Sequence, residues 1–308
     1  MSRNIFPIRK KLDAQNKFGK SAIRKMGPPM YETLLVEVDD RVAVITINRS
    51  DRMNAINDQL TVEYRQLIAD LDRNEDVRVI ILRGAGGRAF SAGYDLKEYP
   101  GAKRNIEQIN DRYLDQQQFL LSNWRCSKPV IAMIDGFCLA GGLELALCCD
   151  IRYCSDRSRI GVLEARFAGA IGTMMAPWIL GSRCRELIYT GDVLDAHEAL
   201  EVGLVERVFP AASLFEETLL IAKRMSRVAA NCQRWNKRSI NQSFETMGLF
   251  TALRHGADMA AMMRTAGSPE RDAFDELRTN VSLQAALEWR KQQFAPFEKR
   301  KTEPSDEE

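Results

Sequence analysis

Val130-Ile-Ala-Met-Ile-Asp135-Gly136-Phe-Cys-Leu-Ala-Gly141-Gly142-Leu-Glu144-Leu-Ala-Leu-Cys-Cys149 is a twenty-residue, mostly apolar run near the middle of the chain. Its length and apolar character suggest a membrane span. Asp135 and Glu144 argue against one, because each acid near the middle of a spanning helix costs roughly 2.5–3.5 kcal/mol. Three glycines also interrupt the run. The same residues make good sense as a buried strand over 129–134, a glycine turn, and a buried helix from about 142 to 149. That reading leaves one carboxylate, Glu144, in the first turn of a helix otherwise built from Leu143, Leu145, Ala146 and Leu147. A carboxylate so flanked is rarely buried without a partner or a task. Burial would raise its pKa and suit it to general acid–base work.

The pattern repeats outward from this stretch. Residues 34–38 and 42–47 read as two strands joined by a turn at Asp39-Asp40. Helical spacing over 58–72 places Leu60, Val62, Leu67, Ile68 and Leu71 in a stripe. Residues 77–82 form a short β-branched run of the kind found in strands covered on both faces. Helices are expected over 106–124, 178–187, 196–202 and 214–228, and a further strand over 151–154. Strands alternating with helices point to an α/β fold with parallel strands. Beyond Val228 no strand is expected. The chain there reads as a helical appendage carrying Met247, Leu249, Phe250, Met259, Met262 and Met263, a stripe that suits core or subunit interface.

Composition narrows the function classes. At 308 residues the chain suits one large domain or two smaller ones, and it can bury a core without disulfides or a structural metal. Its 44 basic and 42 acidic residues nearly cancel, which argues against a dedicated nucleic-acid binder. The seven cysteines are irregularly spaced, no CxxC occurs, and His197 and His255 are the only histidines, so no zinc site is expected. A reducing cytoplasm is the expected location. Residues 1–28 hold eight basic residues and one acid, Asp13. They read as a solvated arm, with a mitochondrial presequence or an anion-binding arm as the sharper alternatives.

Nucleotide loops are unsupported, since Gly84-Ala-Gly-Gly-Arg88 is not GxGxxG and no GxxxxGK[ST] is present. Ala89-Phe-Ser91-Ala-Gly93 is close to a nucleophile elbow but lacks its first glycine, and neither histidine sits in a glycine-rich loop. The strongest feature is a pair of glycine-rich turns, 88–98 and 135–146, each following a buried strand. Small residues there let a ligand approach the backbone, and exposed N–H groups beside a helix N-terminus stabilise developing negative charge. Glu164, in Ile160-Gly-Val-Leu-Glu164-Ala-Arg166, is a second acid in a sparsely charged run. Two carboxyls facing one pocket could hold and activate a water.

On these residues the chain resembles the enoyl-CoA hydratase/isomerase (crotonase) family, from about Tyr31 to Phe294. The matching blocks run in order: Val42-Ala-Val-Ile-Thr-Ile-Asn-Arg49 with Met53-Asn54-Ala55-Ile56, Ala89 to Glu98, Lys128-Pro-Val-Ile-Ala132, Gly136 to Asp150, Thr190-Gly-Asp192, Gly203-Leu-Val205, and Ala286-Leu-Glu-Trp-Arg-Lys-Gln-Gln-Phe294. The resemblance implies a spiral of ββα turns over 31–225 and a C-terminal helical trimerisation region over 226–298. A basic arm at 1–30 and a polar tail at 299–308 would flank them. It implies homotrimers or homohexamers acting on an acyl-CoA thioester in fatty acid metabolism, with no separate cofactor, no metal and no membrane or nucleic-acid partner.

Carried over by position, the backbone N–H groups of Tyr94 and Gly141 would hold the thioester oxygen. Glu144 and Glu164 would be the acid–base pair, and Gly172 would offer a backbone contact near the water. Arg52, Asn54 and Ala55 would bend around the CoA adenine. Ala92, Asp95, Leu96 and Gly142 would contact the ligand, and Lys97 with Arg290 or Lys291 would face CoA phosphates. Hydration of a 2-enoyl-CoA is the expected reaction. Isomerisation, thioester hydrolysis, C–C cleavage or non-catalytic acyl-CoA or RNA binding are the alternatives. Leu163 stands where the family usually has proline, the loop after Gly172 is short, and Tyr94 replaces a commonly small residue.

Overall fold

The computed structural model describes residues 31–97, 105–172 and 175–298, together with a two-residue strand at Arg24–Lys25. Apart from that strand, the basic arm expected at 1–30 lies outside the described residues, as does the polar tail expected at 299–308. The strand Arg24–Lys25, β1, pairs antiparallel with β2, Leu34–Asp39, which returns as β3, Val42–Ile47. Asp40 and Arg41 take φ of +47° and +68°, so the hairpin turn sits one residue later than expected. Asn57 then caps α1, Asp58–Arg73, by accepting from Leu60 N at 3.0 Å.

Three strand–strand–helix units follow. β4, Val79–Gly84, leads to β5, Ala89–Ser91, and α2, Ile106–Leu120. The helix expected over 106–124 is broken at Leu121, before the short α3, Ser122–Arg125. β6, Val130–Ile134, leads to β7, Phe137–Leu139, and α4, Gly141–Leu147. β8, Ile151–Ser155, leads to β9, Arg159–Gly161, and then a 3-10 turn at Glu164–Phe167. The apolar 130–149 stretch thus becomes two strands and a short helix. No helix among the described residues is long and apolar enough to cross a membrane.

The helix expected over 178–187 forms as α5, Ala176–Leu180, and α6, Cys184–Thr190. Gly181 between them takes φ of +56°, which interrupts the helix. β10, Val193–Asp195, α7, Ala196–Glu201, β11, Arg207–Phe209, and α8, Leu214–Met225, complete this part. From Ala230 onward the described chain is helical: α9, Ala230–Thr246; α10, Leu249–Ala266; α11, Pro269–Asn280; and α12, Leu283–Phe294.

The larger sheet has the order β1-β2-β3-β4-β6-β8-β11, and β3 through β11 are parallel. It is buried on both faces, and this explains the continuous apolar runs. Ala43, Ile45, Ile80, Leu82, Val130 and Ala132 point into the main core, while Val42, Val44, Val79, Ile81 and Ile131 pack with Leu214, Ile221 and Ala222 of α8 on the other face. The smaller sheet, β10-β9-β7-β5, is built from three-residue strands, two of which, β5 and β7, lie inside the glycine-rich turns. Strands that short leave no periodicity to read.

The C-terminal helices are tied down by polar contacts. Gln117 Nε2 on α2 donates to Gly172 O and Leu253 O, at 2.6 Å each, and so joins α10 to the loop beyond Glu164. On α9, the buried Lys237 donates to Asn123 O, Lys128 O and Asp150 Oδ2. Of the methionine-rich stripe only Leu249 is fully buried; Met247 and Met262 are exposed.

Candidate active site

The first glycine-rich turn is aimed by a single bridge. Ile56 N donates to Gly93 O and Asp95 N donates to Ile56 O, both at 2.8 Å. A planar trans peptide holds its N–H opposite its C=O, so the Tyr94 N–H points away from Ile56. Gly93 takes φ of +91°, and its N donates to Ser91 Oγ at 3.2 Å. Ser91 is fully buried and both histidines are exposed, an arrangement unlike a serine–histidine couple.

The second turn ends on a strained residue. Ala140 takes φ of +51° and ψ of −128°, a conformation that costs a residue with a Cβ on the order of 1–3 kcal/mol. It delivers Gly141 and Gly142 as the first residues of α4, where N–H groups have no intrahelical acceptor. The two turns touch. A methyl group added to Gly93 would lie 3.2 Å from Gly141 N, and one added to Gly141 would lie 2.6 Å from the Tyr94 ring. One added to Gly142 would lie 2.5 Å from Ser91 O, so both glycines serve close packing.

Beside these turns lies a cavity of about 450 Å³. Ala92, Tyr94, Leu96, Gly141, Glu144, Glu164 and Gly172 all line it. Glu144 is 2% exposed; its Oε2 accepts from Met175 N at 3.3 Å, and its Oε1 is buried with no hydrogen-bond partner. Desolvation and the nearby Glu164 charge raise its pKa to about 8, against the Met175 N–H, which lowers it. Desolvation raises Glu164 to about 7, and a backbone hydrogen bond opposes the shift. Glu164 is half-buried as a residue, because it faces the cavity, yet its Oε2 is buried and without a partner. Its turn closes on Arg166 N to Leu163 O at 3.0 Å and Gly169 N to Glu164 O at 2.8 Å. Gly172 packs so tightly on Tyr113 that a methyl group would lie 2.5 Å from the ring.

Other expected site residues stand elsewhere. Arg52, Asn54, Ala55, Asp95, Lys97, Gly142, Arg290 and Lys291 do not line this cavity. Asn54 is fully buried and holds its loop, accepting from Arg49 N at 3.1 Å and donating to Ala85 O at 2.9 Å and Ala89 O at 2.7 Å. Asp95 pairs with Arg49 at 3.1 Å, and Arg49 also donates to Ala55 O. Arg52 and Lys97 are exposed. Arg290 stacks over Phe294 at 4.9 Å, and Lys291 reaches Glu288 at 3.9 Å.

Met263 of the methionine-rich stripe and Leu287 of the closing block line the cavity; sequence reading missed the other walls, Tyr113 and Gln116 from α2, Phe167 from the 3-10 turn, and Arg264 and Arg271 from α10 and α11. Each looks locally like one face of an amphipathic helix or a solvated charge, and no motif marks it.

Comparison with known proteins agrees with this architecture. Residues 37–295 match the family model described as enoyl-CoA hydratase/isomerase. A probable enoyl-CoA hydratase of Mycobacterium tuberculosis is 34% identical over 220 residues, covering 70% of this chain and 84% of that protein. A crotonyl-CoA hydratase of Syntrophomonas wolfei is 32% identical, with 70% and 84% covered. The crystal structure of an enoyl-CoA hydratase/isomerase from Xanthobacter autotrophicus Py2 superposes with a TM-score of 0.82 at 33% identity, covering 86% of this chain and 99% of that one.

Proposed function

The chain belongs to the enoyl-CoA hydratase/isomerase family and has its α/β crotonase-like fold, and from that premise we propose that it adds water to a 2-enoyl-CoA, or removes water from the 3-hydroxyacyl-CoA, in the cavity lined by Glu144 and Glu164. The observation that carries this reading is the pairing of two carboxyls, drawn to about 8 and about 7, beside the N-terminal amides of α4.

The thioester oxygen sits between the N–H groups of Tyr94 and Gly141. As the enolate develops, each donor is worth about 3–4 kcal/mol in the transition state. One ionised carboxyl takes a proton from water, whose oxygen bonds to the β-carbon. The electrons of the double bond move to the α-carbon and thioester oxygen. The protonated carboxyl then gives its proton to the α-carbon, so the sum is addition of H and OH. A pair holding a single proton near neutral pH offers one base and one acid. Coenzyme A is part of the substrate, and this chemistry asks for no further cofactor. The family's isomerases, hydrolases and C–C lyases would share the oxyanion donors; the second glutamate favours hydration here.

We further read 31–225 as the superhelical catalytic core and 226–298 as the assembly region. Trp235, Ile240, Met247, Phe250 and Met262 expose large apolar surface along α9 and α10, which suits a trimer or a pair of trimers. Lys97 and Lys291 are exposed, which suits a meeting with CoA phosphates. Seven unbridged thiols, six of them buried, suit a reducing cytoplasm.

The test is a panel of 2-enoyl-CoA esters, with the 3-hydroxy product, the shifted double bond and free CoA followed in the same samples. Hydration should dominate, and Glu164→Gln should lower turnover about 10²–10⁴-fold with little change in affinity. Free CoA or the isomer as the main wild-type product would replace hydration with hydrolysis or isomerisation.

A further inference from the structure

We propose that the end of the cavity beyond Glu164 is an anion subsite, and that the preferred acyl group carries a carboxylate at its far end. This rests on the acyl-CoA reading above and specifies its substrate class. Ala168, Met263, Arg264 and Arg271 belong both to the main cavity and to an adjoining chamber of about 90 Å³, which Gly267 and Ser268 close. That volume suits a carboxylate and little more.

Two features make the chamber electropositive. Ser268 caps α11, accepting from Arg271 N at 3.2 Å, so the N-terminal end of a twelve-residue helix opens on it, with Glu270 of the first turn also bonded to Ser268. In addition, three guanidiniums converge on one carboxylate: Arg264, Arg271 and Arg278 approach Asp275 at 3.8, 2.8 and 3.2 Å. Asp275 is the one ionic partner of Arg271 and Arg278 among the described residues. Their side chains are only 16% and 13% exposed, against 30% for Asp275. Cations withdrawn from water need compensating charge, and one acid shared by Arg271 and Arg278 leaves a surplus. A carboxylate entering the chamber would supply it through charge-assisted hydrogen bonds.

Chain order along the ligand points to the acyl end. With the carbonyl at Gly141 and the reacting carbons beside Glu144 and Glu164, the rest of the acyl group continues past Phe167 and Ala168. Arg271 Nη1 donates to Phe167 O at 3.3 Å, placing the guanidinium at the end of that path. Leu120, Leu163, Ile171 and Leu287 give the path an apolar wall.

The test is calorimetric binding of unreactive saturated esters to the full chain. Succinyl-, glutaryl- and adipyl-CoA are each compared with the methyl-ended ester of equal length (butyryl-, valeryl- and hexanoyl-CoA). At least one carboxylate ester should bind about tenfold or more tightly than its neutral partner. Arg271→Gln and, should that variant not fold, Arg264→Gln should bring this ratio close to one. A wild-type ratio near one for all three pairs overturns the subsite. So does a variant that weakens both members of a pair and free CoA equally, since its arginine would then hold CoA phosphate. A carboxylate preference in a protein that hydrates no 2-enoyl-CoA upholds the subsite and removes the hydratase assignment. Hydration of crotonyl-CoA without that preference does the reverse.

Discussion

Replacing Glu144 by glutamine should make the fold more stable and the enzyme inactive. The carboxyl is 2% exposed, and burial moves its pKa from 4.5 to about 8. Between those values the folded protein keeps a proton that the unfolded chain has released. Stability therefore falls as pH rises through this window and levels off above about 8. At about 1.4 kcal/mol per pH unit, the full span from 4.5 to about 8 sets a ceiling of roughly 5 kcal/mol. Glutamine keeps an acceptor for Met175 N and carries no charge at any pH. Like the protonated acid, it leaves a polar atom without a partner at the Oε1 position, so the exchange should be nearly neutral at pH 5. At pH 9 the variant should gain on the order of 3 kcal/mol or more over the wild type. Urea unfolding of both proteins at pH 5, 7 and 9 reads this difference, and titrating groups remote from Glu144 cancel in the comparison, leaving Glu144 with its coupled neighbour Glu164. A difference that stays flat across that range would refute a charged Glu144 as a burden on the fold.

Three other outcomes are expected. Activity needs one proton on the pair, so kcat/KM should rise with pH through about 7 and fall above about 8; a flat profile from pH 6 to 9 would rule out the glutamates as acid and base. Gly141→Ala should push the Tyr94 ring from its place, since the new methyl group would lie 2.6 Å from it. Turnover should drop tenfold or more in a protein that still melts cooperatively; wild-type turnover would separate the N-terminus of α4 from the reaction. Asn54→Ala should cost about 2–4 kcal/mol in denaturant unfolding, because Arg49 N, Ala85 O and Ala89 O lose their buried partner and φ of +54° suits asparagine better than alanine. Unchanged stability would mean that the loop is held by other contacts.

That last case shows how far a local reading reaches. Asn54 stands in a recognisable block beside the expected ligand, yet its amide is spent on Ala85 and Ala89, across the turn that leads to Ser91. Lys97 and Arg290, both expected to face CoA phosphates, also part company once the chain is folded. Lys97 is exposed, whereas Arg290 lies along Phe294. A cation in a sequence looks the same in either setting, and only its neighbours decide whether it meets solvent or an aromatic ring.

What the amino-acid sequence determined alone was whatever a few consecutive residues encode. Unbroken β-branched runs imply strands covered on both faces, as in Val79–Gly84 and Val130–Ile134. Glycines at 93, 141 and 142 imply turns that admit close backbone approach, and a lone acid among leucines implies a buried Glu144. The tertiary structure decided what depends on groups far apart along the chain. It brought Glu164 within electrostatic reach of Glu144, set their proton affinities through burial, and walled the cavity with α2 and the last three helices. It also gathered Arg264, Arg271 and Arg278 around Asp275. Turn and strand preferences act within a few residues. Desolvation and charge fall off with distance in space, so residues separated by a hundred positions can set each other's chemistry only after folding.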